Sequence, residues 1–268
     1  MKKAKKKILI ALCMVVAVVA IVITTVVSTV AYLTSSAAVL NAFTIGNVQM
    51  TMFETKVNNA GEPQESGTKT ADTNSYHLVC NKTYTKDPTI YIQPNSESSY
   101  LFIIARNDIR DIEDPHKLSM REQLMANGWK YYGEAATGKV YVYTGVTNDD
   151  AVDAAEQAYE TAVEGTTDKT VIKNAREARE TAIEAICGSS NATGVSAGSS
   201  IVSVDLFEEF SIAADADISK YGAAEVKVTA VAIQTSGFGT TLGDATALNE
   251  AWAAVIATYP YIYDGSKG

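Results

Sequence analysis

The chain has 268 residues, 47% of them hydrophobic and 20% charged, a globular balance that excludes a mainly disordered polymer. Five lysines and no acids lie in residues 1–31, so the remainder carries 17 basic against 31 acidic groups, a net charge of −14. A body that acidic repels phosphate backbones, which argues against nucleic-acid binding. With only His77 and His116 present, mechanisms needing several imidazoles are excluded.

Lys2, Lys3, Lys5, Lys6 and Lys7 precede Ile8–Ile23, a run without a polar side chain, and the chain stays mostly apolar to Ala31. Lysines ahead of an apolar run keep the N-terminus cytoplasmic and send the downstream chain across the membrane. Thr29-Val30-Ala31 supplies small residues for a signal peptidase cutting between Ala31 and Tyr32, and Ala37-Ala38 is a second candidate. We read residues 1–31 as a cleaved signal peptide. The alternative is an uncleaved anchor, because roughly 17–25 apolar residues can span a bilayer. Either way residues 32–268 lie outside the cytoplasm, and contact with the membrane is confined to residues 8–31. Leu12 before Cys13 does not fit a lipoprotein site.

Phe43–Glu54 reads as one strand, with apolar Phe43 and Ile45 on one parity and Val48, Met50 and Met52 on the other. A β-bulge at Gly46-Asn47 would let both sets face one core. Residues 57–75 are polar and glycine-containing and read as a surface loop. Further strands are expected at 76–80, 89–93, 99–105, 129–132, 139–143, 200–204, 207–212 and 225–235. Pro88 and Pro94 bracket the second of these, and Asn95–Ser98 makes a tight connection to the third.

Between 149 and 187 the texture becomes helical. Val152, Ala155, Tyr159 and Ala162 recur at helical spacing, as do Ile172, Ala175, Ala182 and Ile186. Asn148-Asp149-Asp150 opens the first helix and Gly165-Thr166-Thr167-Asp168 separates the two, giving an antiparallel hairpin that rests on a sheet or projects from it. A last helix is expected at Ala245–Thr258, carrying Trp252. Short strands without strand–helix alternation predict a mainly β, antiparallel sandwich at 32–268, with an inserted α-helical hairpin and a short C-terminal helix.

Outside the signal the cysteines are Cys80 and Cys187. They can pair in an oxidising exterior, but two widely spaced cysteines also serve simply as small apolar residues. No His-Glu-x-x-His zinc motif, phosphate loop or nucleophile elbow is present, and no cofactor is expected. Asn107–Asp114 concentrates four acids without EF-hand spacing and reads as a solvated acidic loop.

The lysine-led signal, then Ala31-Tyr32-Leu33-Thr34, then Asn41–Val48, resembles the TasA/camelysin family of Gram-positive surface proteins. Lys86–Ile92 running into Asn95–Tyr100, and Val231–Phe238 ahead of Ala251-Trp252, are similar to later parts of that pattern. The hairpin at 149–187 is not part of it. The resemblance implies a jelly-roll-like sandwich that assembles into extracellular fibres of a biofilm matrix, alone or with other matrix or surface proteins. It also implies that the segment freed by signal cleavage becomes a strand of the neighbouring subunit. Residues 32–45, with Leu33, Val39, Leu40, Phe43 and Ile45, are apolar-rich and uncharged, as such a strand requires. Three alternatives stay open: residues 32–45 folding back as the domain's own first strand, the reading favoured by the residues without the resemblance; a monomeric binding domain held at the cell surface by its N-terminal helix; and a camelysin-like metal-dependent peptidase, for which the histidine pattern is poor.

Overall fold

The computed structural model describes residues 32–34, 42–64, 68–71 and 74–264. In chain order these form strands β1 (Tyr32–Thr34), β2 (Ala42–Ile45), β3 (Met50–Thr55), β4 (Lys69–Thr70), β5 (Ser75–His77), β6 (Lys82–Thr85), β7 (Thr89–Ile92) and β8 (Ser99–Asn107). Next come helix α1 (Met120–Ala126), strands β9 (Trp129–Ala135) and β10 (Gly138–Tyr143), and helices α2 (Asp149–Val163) and α3 (Lys169–Cys187). Strands β11 (Val202–Asp205), β12 (Glu209–Ile212) and β13 (Val226–Gln234) lead to helices α4 (Ala245–Thr258) and α5 (Pro260–Asp264). The fold is β-rich, as expected.

A five-stranded sheet, β2-β13-β8-β10-β9, faces a four-stranded one, β11-β7-β3-β4. Met50, Met52, Ile90, Ile92 and Val204 from the smaller sheet share one buried cluster with Leu101, Ile103, Tyr141, Val228 and Ala230 from the larger. The larger sheet is also covered behind: Tyr100, Phe102, Val142, Val231 and Ile233 pack under Leu248, Ala251, Trp252 and Val255 of α4. Burial on both faces explains why β8 and β13 read as continuous apolar runs instead of alternating. Two small pairs, β12-β6 and β1-β5, complete the described strands.

Three sequence expectations are corrected. Phe43–Glu54 is not one bulged strand: β2 lies in the large sheet and β3 in the small one. The parity switch is resolved by crossing between sheets at Gly46, whose φ of 94° is a left-handed conformation that favours glycine. The tight connection at Asn95–Ser98 does not pair the strands it joins as a hairpin. Strands β7 and β8 lie in opposite sheets, and Asn95, at φ 64°, turns the chain across the core. The sheets are not wholly antiparallel, because β2 runs parallel to β13. These two strands have no short connection between them, so no turn dictates their relative direction.

The hairpin of α2 and α3 forms where expected, capped by Asn148 and Asp168. Its second helix rests against α1 and the edge strand β9. Helix α1 is an addition to the expected elements. Its sequence signal is a capping box: Ser119 Oγ accepts from Glu122 N–H, while Glu122 accepts from Ser119 N–H.

Candidate assembly edge and its buried polar anchors

The leader meets the body at two sheet edges. Strand β2 lies along β13 in the register Ala42 to Ala230, Phe43 to Val231, Thr44 to Ala232 and Ile45 to Ile233. Ile45 packs on the cluster beneath α4, and Tyr259 donates from its hydroxyl to the Thr44 carbonyl at 3.3 Å. Strand β1 adds to β5, with Tyr32 opposite His77, Leu33 opposite Tyr76 and Thr34 opposite Ser75. Of the leader residues singled out in the sequence, Leu33, Phe43 and Ile45 thus stand on paired strands of the same chain. Ala31, Val39, Leu40 and the apolar run at 8–31 lie outside the described residues. Among those described, no helix is long and apolar enough to cross a membrane.

The strand that receives β1 is rigidly backed. Tyr76 is fully buried and meets Tyr84 and Phe210 edge-on, with ring centroids 5.8 and 5.2 Å away. Tyr84 and Phe210 stack at 4.9 Å. Such pairs add about 0.5–1.5 kcal/mol each beyond their burial. The Tyr76 hydroxyl donates to the Thr85 carbonyl at 2.9 Å. Burial, with the Glu54 carboxylate nearby, holds its phenol well above the usual range.

Behind this aromatic wall lies a sealed polar trio. Glu54, on the core face of β3, accepts from Lys86 Nζ at 2.8 Å and from Asn74 Nδ2 at 2.8 Å. The loop expected at 57–75 is therefore only partly a surface feature: Val57, Thr70 and Asn74 are buried within it.

A second set of buried charges fastens the helical hairpin. Arg179 of α3 donates to both oxygens of Glu122 and to the carbonyls of Pro115 and Lys117. Its guanidinium also lies 4.3 Å from the Tyr159 ring centroid. Glu180 accepts from Arg110 and Arg121. The acidic stretch at 107–114 is not wholly solvated, since Glu113 is only 3% exposed, and burial pushes its pKa up to about 7. It accepts from Met120 N–H at 2.9 Å, from Asn107 and from Arg176. These contacts make it a structural anchor.

The two cysteines are free thiols in different settings. Cys80 Sγ contacts the Ala216 carbonyl at 3.4 Å, whereas Cys187 is buried at the end of α3, where burial pushes its thiol up. The pairing considered from sequence is not formed. His116 contacts the Tyr159 hydroxyl through Nδ1 at 3.2 Å, and His77 sits on β5. Among the described residues no group of three His, Cys, Asp or Glu side chains is placed to hold a metal.

Comparison with protein-family models, with curated proteins and with solved structures finds no match. The likeness to TasA/camelysin proteins rests on sequence motifs alone.

Proposed function

We propose that the chain is an exported structural subunit of cell-surface or biofilm-matrix fibres, without enzymatic activity. In this reading it is a jelly-roll-like sandwich that passes its N-terminal strand to the next copy. The observation that carries the reading is the parallel seat of β2 on β13, at the free edge of the larger sheet. Main-chain hydrogen bonds and the apolar bed beneath α4 hold that strand, and both are indifferent to which chain supplies it. Strand β1, three residues long, is likewise held at an edge, by β5. In one copy the leader folds back on its own body. At high subunit concentration the same slots take the leader of a neighbour, a head-to-tail exchange that does not close and so extends into filaments.

The direct test is complementation. A chain beginning at Gly46 lacks β1 and β2 and leaves the β13 edge open. A synthetic peptide of residues 32–45 should bind it saturably at one site, with a Kd near micromolar, about −8 kcal/mol. A scrambled peptide that binds equally well, or no binding by the native one, contradicts strand donation.

A further inference from the structure

Glu54, Lys86 and Asn74 are brought together from three separate segments: β3, the residue after β6 and the residue before β5. The Lys86 and Glu54 side chains are 1% and 0% exposed, and Asn74 is 4% exposed. One carboxylate holds the other two, Lys86 Nζ on Oε2 and Asn74 Nδ2 on Oε1, each at 2.8 Å. The carboxamide has one orientation. Its Nδ2 also donates to the Thr55 carbonyl at 2.9 Å, and its Oδ1 accepts from Val57 N–H at 3.1 Å.

The backbone on either side of Lys86 is pinned as well. The Thr85 carbonyl accepts from Tyr76, Lys86 N–H donates to the Glu208 carbonyl, and Asp87 accepts from Thr55 N–H and hydroxyl. The Lys86 ammonium lies 6.0 Å from the Tyr76 ring centroid, inside an aromatic and water-excluded wall. As a stabilising device alone this arrangement is poor, because a buried ion pair rarely outperforms apolar residues of the same volume. As chemistry it is complete: an amine, a carboxamide, a shared proton carrier and a donor on the carbonyl oxygen, held in place before reaction.

We propose that Lys86 and Asn74 join spontaneously in an intramolecular amide bond, with Glu54 as the catalytic acid–base. Glu54 takes a proton from Nζ, and the freed lone pair adds to Asn74 Cγ. The carbonyl π pair moves onto Oδ1, where Val57 N–H stabilises the developing charge. Glu54 delivers that proton to Nδ2, and as the electron pair on Oδ1 re-forms the carbonyl the Cγ–Nδ2 bond breaks with its electrons on nitrogen. Glu54 then carries a second proton from Nζ to the released ammonia, which leaves as ammonium. The ammonium of Lys86 and the carboxamide of Asn74 thus become a secondary amide and free ammonium. Charge is conserved, Glu54 ends as the carboxylate, and no oxidant, metal or co-reactant is consumed. The bond ties the strand that seats β1 to the segment leading into β7, and it forms whether or not the chain polymerises.

The test is intact mass and a tryptic map of the purified, folded chain. The expected result is a chain lighter by one ammonia, about 17 Da. Residues 70–82 should be joined to residues 83–106, with Lys86 resistant to trypsin. Glu54→Gln should keep its full sequence mass and give separate peptides. If that variant does not fold, the map of the unaltered chain decides alone. Full sequence mass with the two peptides separate overturns the proposal. So does an ammonia loss confined to residues 70–82, which marks a succinimide at Asn74-Ser75. A Glu54→Gln chain that cross-links fully overturns the role given to Glu54.

Discussion

Arg179 Nε donates to Glu122 Oε1 at 2.8 Å, and neither side chain is more than 1% exposed. Glu122 closes the capping box of α1, so one buried pair joins the inserted hairpin to the helix that positions it. Removing one partner leaves the other charged and desolvated, a loss of about 3–5 kcal/mol. Arg179→Ala should therefore lower the urea midpoint sharply. Lys173→Ala, which breaks only the exposed pair with Glu177, should leave it unchanged. Equal midpoints for the two variants would mean that the hairpin is not fastened through Glu122.

Glu113 gives the fold a pH dependence with a definite sign. Its folded pKa of about 7 lies above the ordinary 4.5, raised chiefly by burial and opposed by Met120 N–H, Arg176 and Asn107. Between those values the unfolded chain releases a proton that the folded chain keeps, so stability falls as pH rises and levels off above 7. At about 1.4 kcal/mol per unit, the loss is a few kcal/mol. Glu113→Gln mimics the protonated form and should flatten this slope. Urea melts of both proteins at pH 5 and pH 8 measure it, and a wild-type-minus-variant difference that does not change with pH contradicts the assignment.

Gly46 is where the leader turns into the core. A Cβ there would stand 2.1 Å from Gln234 Oε1, on a backbone with φ 94°. Gly46→Ala should cost about 1–3 kcal/mol and loosen β2 from β13. Hydrogen exchange at Phe43–Ile45 should accelerate while the amides of β8 stay protected, and unchanged protection of β2 would refute the crossing.

Cys80 and Cys187 should behave as two independent thiols. Cys80, half-buried, should react with a maleimide in the folded chain. Cys187, buried and with its thiol pushed up, should react only after unfolding. A purified chain showing no free thiol after unfolding would mean that the two had paired.

Much of the architecture is legible in the sequence because it is carried by local signals. Asn148 and Asp168 cap the hairpin helices, and α4 runs from Ala245 to Thr258, where a last helix is expected. Which sheet each strand joins is not legible. Alternation tells apolar from polar faces but not sheet membership, so β2–β3 and β7–β8 read as continuous or hairpin-linked when each pair crosses the core. The buried polar trio leaves only a faint trace. Val48, Met50 and Met52 alternate inward, and the next position of that parity is Glu54. A carboxylate on a core face requires a buried partner, but Lys86 and Asn74 are distant in sequence, and no local rule connects them. Glu113 misleads for a similar reason, since four acids in one loop suggest water until α1 and α3 close over one of them.

The most direct test of the central claim is electron microscopy of two purified chains at the same concentration, one beginning at Tyr32 and one at Gly46. Strand donation predicts filaments from the first, and folded, monodisperse particles from the second. Filaments from both, or single particles from both across the accessible concentration range, would contradict it.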